Sequence, residues 1–298
     1  MLMNYDFLIC GHYIRFELPW ELAVTTETVP FLIDRDAHGI PELTVTFSPV
    51  DSLRLPETEG VWHINALYTA NNGVSRVWHC ASRSDPPYCC VEWNTLRPSA
   101  VECRYVRGQE HQIIYTKNLM ELLGLETILL HFDALIAHAS LVEWEGRGIL
   151  FCAPSGTGKS TQAQLWQQYM GSRTLNGDRA GICCRQGRWE AWGLPYAGTS
   201  GIYCNRSVPV SMVVLLRQGS QNVITSPGPV DAFKQLFPQM NARRWDADFM
   251  EHMTALLSSL VGQVPICQLE CKPDVEAVEL LHRVLIKENL HGNGIDAG

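Results

Sequence analysis

The chain has 298 residues, of which 46% are hydrophobic and 18% charged, enough for a sizeable core and too apolar for disorder. A formal net charge of -8 with no long basic run excludes a nucleic-acid backbone as the main partner, because that binding needs clustered Lys and Arg.

In chain order, residues 1–16 lack a basic n-region and are interrupted by Asp6, so they do not read as a signal peptide. Segments 13–18, 43–47, 61–68, 75–79 and 88–93 are rich in aromatic and β-branched residues and predict strands. Asn71-Asn72-Gly73 and Asp85-Pro86-Pro87 punctuate them as turns. The expectation is a small antiparallel, β-rich N-terminal domain over 1–110. Trp62, His63, Trp78, His79 and Trp93 receive no role, since aromatic residues on strands most often serve a core.

The character changes near Gly108. Leu119, Leu122, Leu125, Leu129, Phe132 and Ile136 recur at helical spacing and predict a half-buried helix over 117–137. Glu121, Glu126, His131 and Asp133 break that stretch as a membrane span, so a cytoplasmic protein with no membrane partner is expected. Two strands, 141–145 and 148–153, are joined by Gly146-Arg147, and a loop over 154–158 leads into a helix over 159–170. Strands are predicted at 173–176, 180–185, 188–192, 211–217 and 222–226. The run 211–217 is apolar almost throughout, as a buried central strand should be. A helix opened by Asp231, another over 246–261 and a strand over 266–271 follow. Asp274, just after Pro273, caps a last helix over 274–288, and 291–298 reads as a frayed tail. The alternation predicts an α/β core with some α+β character over 111–290.

Eleven cysteines occur singly or as adjacent pairs, and no C-x-x-C spacing exists. Adjacent strand residues point to opposite faces, so Cys89-Cys90 and Cys183-Cys184 make no two-ligand metal clip; reduced thiols are expected.

The strongest chemical signal is Ala153-Pro154-Ser155-Gly156-Thr157-Gly158-Lys159-Ser160, a Walker A pattern with Ala at its first position. An apolar strand enters, glycines let backbone amides curl around an anion, and a helix begins with its positive end toward phosphate. The pattern predicts ATP with Mg²⁺ on Ser155, Gly156, Thr157, Gly158, Lys159, Ser160 and Thr161. Lys159 would bridge the terminal phosphates and Ser160 would offer its hydroxyl to the metal. In Asn176-Gly177-Asp178-Arg179, Asp178 falls near a strand end, where a carboxylate can hold Mg²⁺ or take the proton of an attacking hydroxyl. A plain Asn-Gly-Asp turn is the alternative. His138 matters by its place at the head of the hairpin that feeds the loop. The segment 195–201 is glycine- and hydroxyl-rich and reads equally as a substrate cover or a connection. Arg179 and Arg206 are candidates to neutralise phosphoryl charge, while Arg243 and Arg244 read as surface residues.

Taken together, His138-Ala139-Ser140-Leu141-Val142-Glu143-Trp144, Gly146, the Walker loop and Asn176-Gly177-Asp178-Arg179 resemble the bacterial HPr kinase/phosphorylase family, within the phosphoenolpyruvate carboxykinase-like group. The resemblance covers 135–182. A looser one, to HPr-kinase-like proteins of modified-peptide pathways, runs through Gly193-Leu194-Pro195-Tyr196-Ala197-Gly198-Thr199-Ser200-Gly201 and Arg244-Trp245-Asp246 to the last helix. It implies a P-loop kinase core with a mixed sheet and flanking helices behind a small β-rich domain, and it hints at a homo-oligomer. It also implies phosphate and metal binding by Lys159 and Ser160, a base or metal-ligand role for Asp178, and His138 near the reacting phosphate. Gly177 stands where the family has a first aspartate, and the segment for docking HPr is missing, so a bona fide HPr kinase is not expected. The function implied is transfer of the γ-phosphate of ATP to a hydroxyl of a peptide or a small metabolite. A nucleotide-dependent peptide-binding or regulatory module is the alternative. Carboxykinase chemistry on oxaloacetate lacks a clear basic clamp for the substrate.

Overall fold

The computed structural model describes residues 2–34, 39–94, 96–196 and 198–292, with side chains to 287. The tail expected over 291–298 lies outside these residues beyond 292. The chain divides into two compact units, Met1–Phe132 with Arg244–Asp246, and Asp133–Arg243 with Ala247–Gly298. The fold class is mixed α/β with mixed sheets and flanking helices.

The first unit is built on an eight-stranded sheet. Strands β1 (Met3–Ile9) and β2 (His12–Leu18) form a hairpin whose turn residues, Cys10 and Gly11, both take positive φ (50° and 72°). That is the backbone a tight, correctly twisted hairpin needs. Strand β3 (Leu43–Val50) runs parallel to both β2 and β8 (Ala100–Val106). Strands β4 (Val61–His63), β5 (Ala66–Asn71), β6 (Val74–Cys80) and β7 (Pro87–Asn94) complete an antiparallel meander against β8. The sheet is therefore mixed, not antiparallel as expected. Residue alternation predicts strands but not partners, and the long connections 19–42 and 51–99 permit the parallel pairings.

Two helices close this unit, α1 (Thr116–Leu123) and α2 (Leu125–His131). The single helix expected over 117–137 is broken at Gly124, whose φ of 69° ends α1 as a left-handed cap. Asp133, at φ 55°, separates α2 from the next strand. Residues 134–137 are strand, because their backbone groups are taken by a neighbouring strand.

The second unit is a mixed sheet in the order β10-β9-β12-β13-β14-β16-β15, with β11 on β9 and a further pairing of β10 with β14. Its strands are β9 (Ala134–Trp144), β10 (Arg147–Cys152), β11 (Arg173–Asn176), β12 (Arg179–Arg185), β13 (Arg188–Gly193), β14 (Ser207–Gln218), β15 (Val223–Thr225) and β16 (Ile266–Cys271). The pairings close into a ring because β14 meets β13 with its first residues and β10 with its later ones. Strands β10, β14 and β16 are mutually parallel, so their carboxyl ends lie on one edge. Helix α3 (Lys159–Met170) packs with α6 (Val275–Gly292) over this region. Trp166 is fully buried there with Phe151, Val214 and Leu281, and its ring meets the edge of Trp144 at 5.8 Å. Losing a ring of this kind costs about 3–5 kcal/mol. Helices α4 (Pro229–Leu236) and α5 (Ala247–Gln263) pack against each other. Asp274 caps α6 as expected, its carboxylate accepting the Ala277 amide at 3.1 Å.

Candidate functional site

Strand β10 carries buried Ile149, Leu150, Phe151 and Cys152 and points its end at the glycine-rich loop. The loop turns through a Thr157 amide bonded to the Pro154 carbonyl at 3.3 Å. Gly156 and Gly158 have φ of 79° and 115°, which side chains other than glycine rarely tolerate. Helix α3 then starts at Lys159, and the amides ahead of its first helical bond have no acceptor within the helix. Such an end attracts anions.

Lys159 is buried and folds back on the loop, donating to the Ala153 carbonyl at 2.8 Å and the Pro154 carbonyl at 3.3 Å. Burial lowers its pKa, opposed by Cys152 and Asp178. The Cys152 thiol is itself pushed up to about 12 by burial and stays neutral. Ser155, Gly156, Ser160 and Thr161 are exposed, while Thr157 and Gly158 are half-buried.

Asp178 is reached from the neighbouring strands. In the β9–β12 pairing Arg179 lies opposite His138, and the Ala139 amide donates to the Asp178 carbonyl at 3.0 Å. The Asp178 carboxylate then has His138 Nε2 at 3.4 Å and Arg179 Nε at 3.6 Å. Its pKa lies below the ordinary aspartate value chiefly because of the His138 hydrogen bond. Burial opposes this, and the charges of Arg179 and Lys159 add to it. The carboxylate is thus ionised at neutral pH.

Asn176, given no role by itself in the sequence, holds this corner together. Fully buried, it accepts the amides of Asp178 (2.9 Å) and Arg179 (3.0 Å) and donates to the carbonyls of Leu194 (2.8 Å) and Tyr196 (3.0 Å). Arg179 also lies over the Tyr196 ring at 4.6 Å. The short turn Gly198–Ser200 is thereby laid on Asp178: a β-carbon on Gly198 would meet the Asp178 side chain, and one on Gly177 would meet Ser200. Glycine at 177 is a packing requirement of this arrangement. Of the segment 195–201, Ala197 lies outside the described residues.

Two expectations are corrected. Arg206 is not brought to Asp178; its guanidinium pairs with Glu143 at 3.1 Å, five residues along β9 from His138. Arg243 is buried (4% exposed) and not a surface residue, whereas Arg244 is exposed.

The sequence profile described as SynChlorMet cassette protein ScmC matches residues 104–257, just over half of the chain. The chain belongs to the ScmC family. The ScmC match contains His138, the glycine-rich loop, Asp178 and the turn Gly198–Ser200, and it ends before β16 and α6. Among curated proteins none matches the chain. Solved structures similar to it include the HPr(Ser) kinase/phosphatase from Coxiella burnetii, at 12% identity, covering 54% of this chain and 94% of that one, with a TM-score of 0.33. That superposition is too loose to transfer residue roles.

Ser160 and Asp178 are the oxygen donors that a nucleotide with magnesium would call on here. Magnesium keeps its waters and takes one or two carboxylates plus phosphate oxygens, not a cage of side chains. Among the described residues no group of three or more His, Cys, Asp and Glu forms such a cage. A hydroxyl at the start of α3 and one ionised carboxylate are the protein ligands that this mode needs.

Proposed function

We propose that the protein is an ATP- and Mg²⁺-dependent phosphotransferase acting on a hydroxyl group. The observation that carries this reading is a buried Lys159 folded into a glycine-rich loop at the start of a helix, together with an Asp178 carboxylate held by His138 and Arg179. When bound, ATP with Mg²⁺ supplies the phosphoryl group and the charge neutralisation that phosphoryl transfer needs. Lys159 would hold the terminal phosphates, and Ser160 and Asp178 would hold the metal. Asp178 also orients the acceptor hydroxyl and takes its proton. His138 and Arg179 fix the carboxylate. A cavity of 640 Å³ lies beside Ala153, Pro154 and Ser155 and reaches Gln235 and Gln239; Asp178 is not among the residues that line it.

The turn packed on Asp178 favours a second reading, a nucleotide-dependent binding module in which no phosphate moves. One experiment separates them. The protein and an Asp178→Asn variant are incubated with Mg²⁺ and γ-labelled ATP against serine, polyols and a pool of serine-containing peptides. Label transfer reduced about 10³-fold in the variant supports the kinase. ATP binding without any label transfer supports the module, and failure to bind ATP removes both.

A further inference from the structure

A second cavity, of 380 Å³, lies on the other side of the loop, against Gly158 and Thr161 and the segment Cys271-Lys272-Pro273. It stands at the carboxyl ends of the parallel strands β14 and β16.

The polarity of a bound triphosphate follows from Lys159. Its ammonium group sits at the Ala153 and Pro154 carbonyls, so the terminal phosphate that it would hold belongs at the start of the loop. The phosphate nearest the nucleoside then lies at the far end, beside Thr161, where the second cavity opens.

Gln162 forms part of the wall and is 3% exposed. Its Nε2 donates to Cys271 Sγ at 3.2 Å, while its Oε1 is buried and accepts no hydrogen bond. A buried acceptor without a donor is rare in folded proteins and points to a missing partner. That partner is a hydrogen-bond donor, an N–H or an O–H group. Leu216 and the Cys271 thiol, kept neutral because burial pushes it up to about 11, present apolar surface beside it.

We propose that this cavity holds the base of the nucleotide, and that Gln162 recognises the exocyclic amino group of adenine. A carboxamide is well suited to the amino edge of that base. The proposal rests on the nucleotide-binding reading of the loop.

Calorimetric titration of the wild-type protein with ATP, with purine riboside triphosphate (which lacks the 6-amino group) and with inorganic tripolyphosphate tests it. One buried hydrogen bond predicts ATP about tenfold tighter than the analogue, and Gln162→Leu should erase that difference while leaving tripolyphosphate binding unchanged. Photolabelling with 8-azido-ATP should mark the peptide containing 271–273. Equal affinity of the wild-type protein for ATP and the analogue, or labelling of 235–239 beside the larger cavity, overturns the proposal. If tripolyphosphate still binds in that case, the phosphate site stands without this base site. If neither ATP nor tripolyphosphate binds, the nucleotide reading falls as well. The comparison of ligands uses the unaltered protein, so it does not depend on a variant folding.

Discussion

Ser200 fills the space that a β-carbon on Gly177 would need. The two residues are therefore coupled, and Gly177→Ala should destabilise the protein by about 1–3 kcal/mol, the usual penalty for overpacking. Ser200→Gly should recover much of that loss in the double variant. Chemical denaturation of the four proteins of this cycle checks the coupling, and additive effects would contradict it.

Asp178 should leave a signature in acid. Its pKa is depressed in the folded protein, so between that value and the ordinary one of about 3.9 the unfolded chain binds more protons. The stabilisation is complete above about pH 4 and is lost as pH falls through the folded value. Asp178→Asn should accordingly lose less stability than the wild type below pH 4, measured by denaturation at stepped pH. Parallel curves would mean that the His138 pairing has no energetic content.

Arg179 and Arg206 should separate in activity. Arg179 touches the carboxylate and Tyr196, so Arg179→Ala should slow turnover about 10²-fold. Arg206 forms a half-exposed pair with Glu143, and such pairs contribute under about 1 kcal/mol. Arg206→Ala should stay within about twofold of the wild type in a steady-state assay.

Gln218 straps the loop from the end of β14, donating to the Gly156 and Thr157 carbonyls at 3.3 and 3.5 Å. These are long, exposed bonds, and removing them should cost less than about 1 kcal/mol. Gln218→Ala should nonetheless speed hydrogen exchange at 155–158, with the rest of the protein unchanged. Unaltered exchange there would show that the strap is idle.

The loop was legible because its chemistry is local: an apolar strand, glycines at fixed offsets and a helix start within 12 residues. The Asp178 corner was half legible. Asp178 and His138 stand out as residue types, but the strand register that sets Arg179 opposite His138 is a long-range property. The reason for Gly177 could not be read at all, because it depends on Ser200, 23 positions away. The break at Gly124 was hidden by leucines whose helical spacing continues across it. The parallel pairs around β3 join segments far apart in the chain, and alternation along a strand does not name its neighbour.

The three residues Arg244–Asp246 group with the first unit although the chain on both sides of them belongs to the second. Trp245 lies against His63 at 4.9 Å and Tyr68 at 4.5 Å between ring centroids. During synthesis the N-terminal unit is therefore finished only after some 246 residues have been joined, and until then His63 and Tyr68 lack the contact with Trp245. A fragment stopped at Phe132 would lack Trp245 beside His63 and Tyr68, so the first unit is better studied with the later segment supplied than by simple truncation.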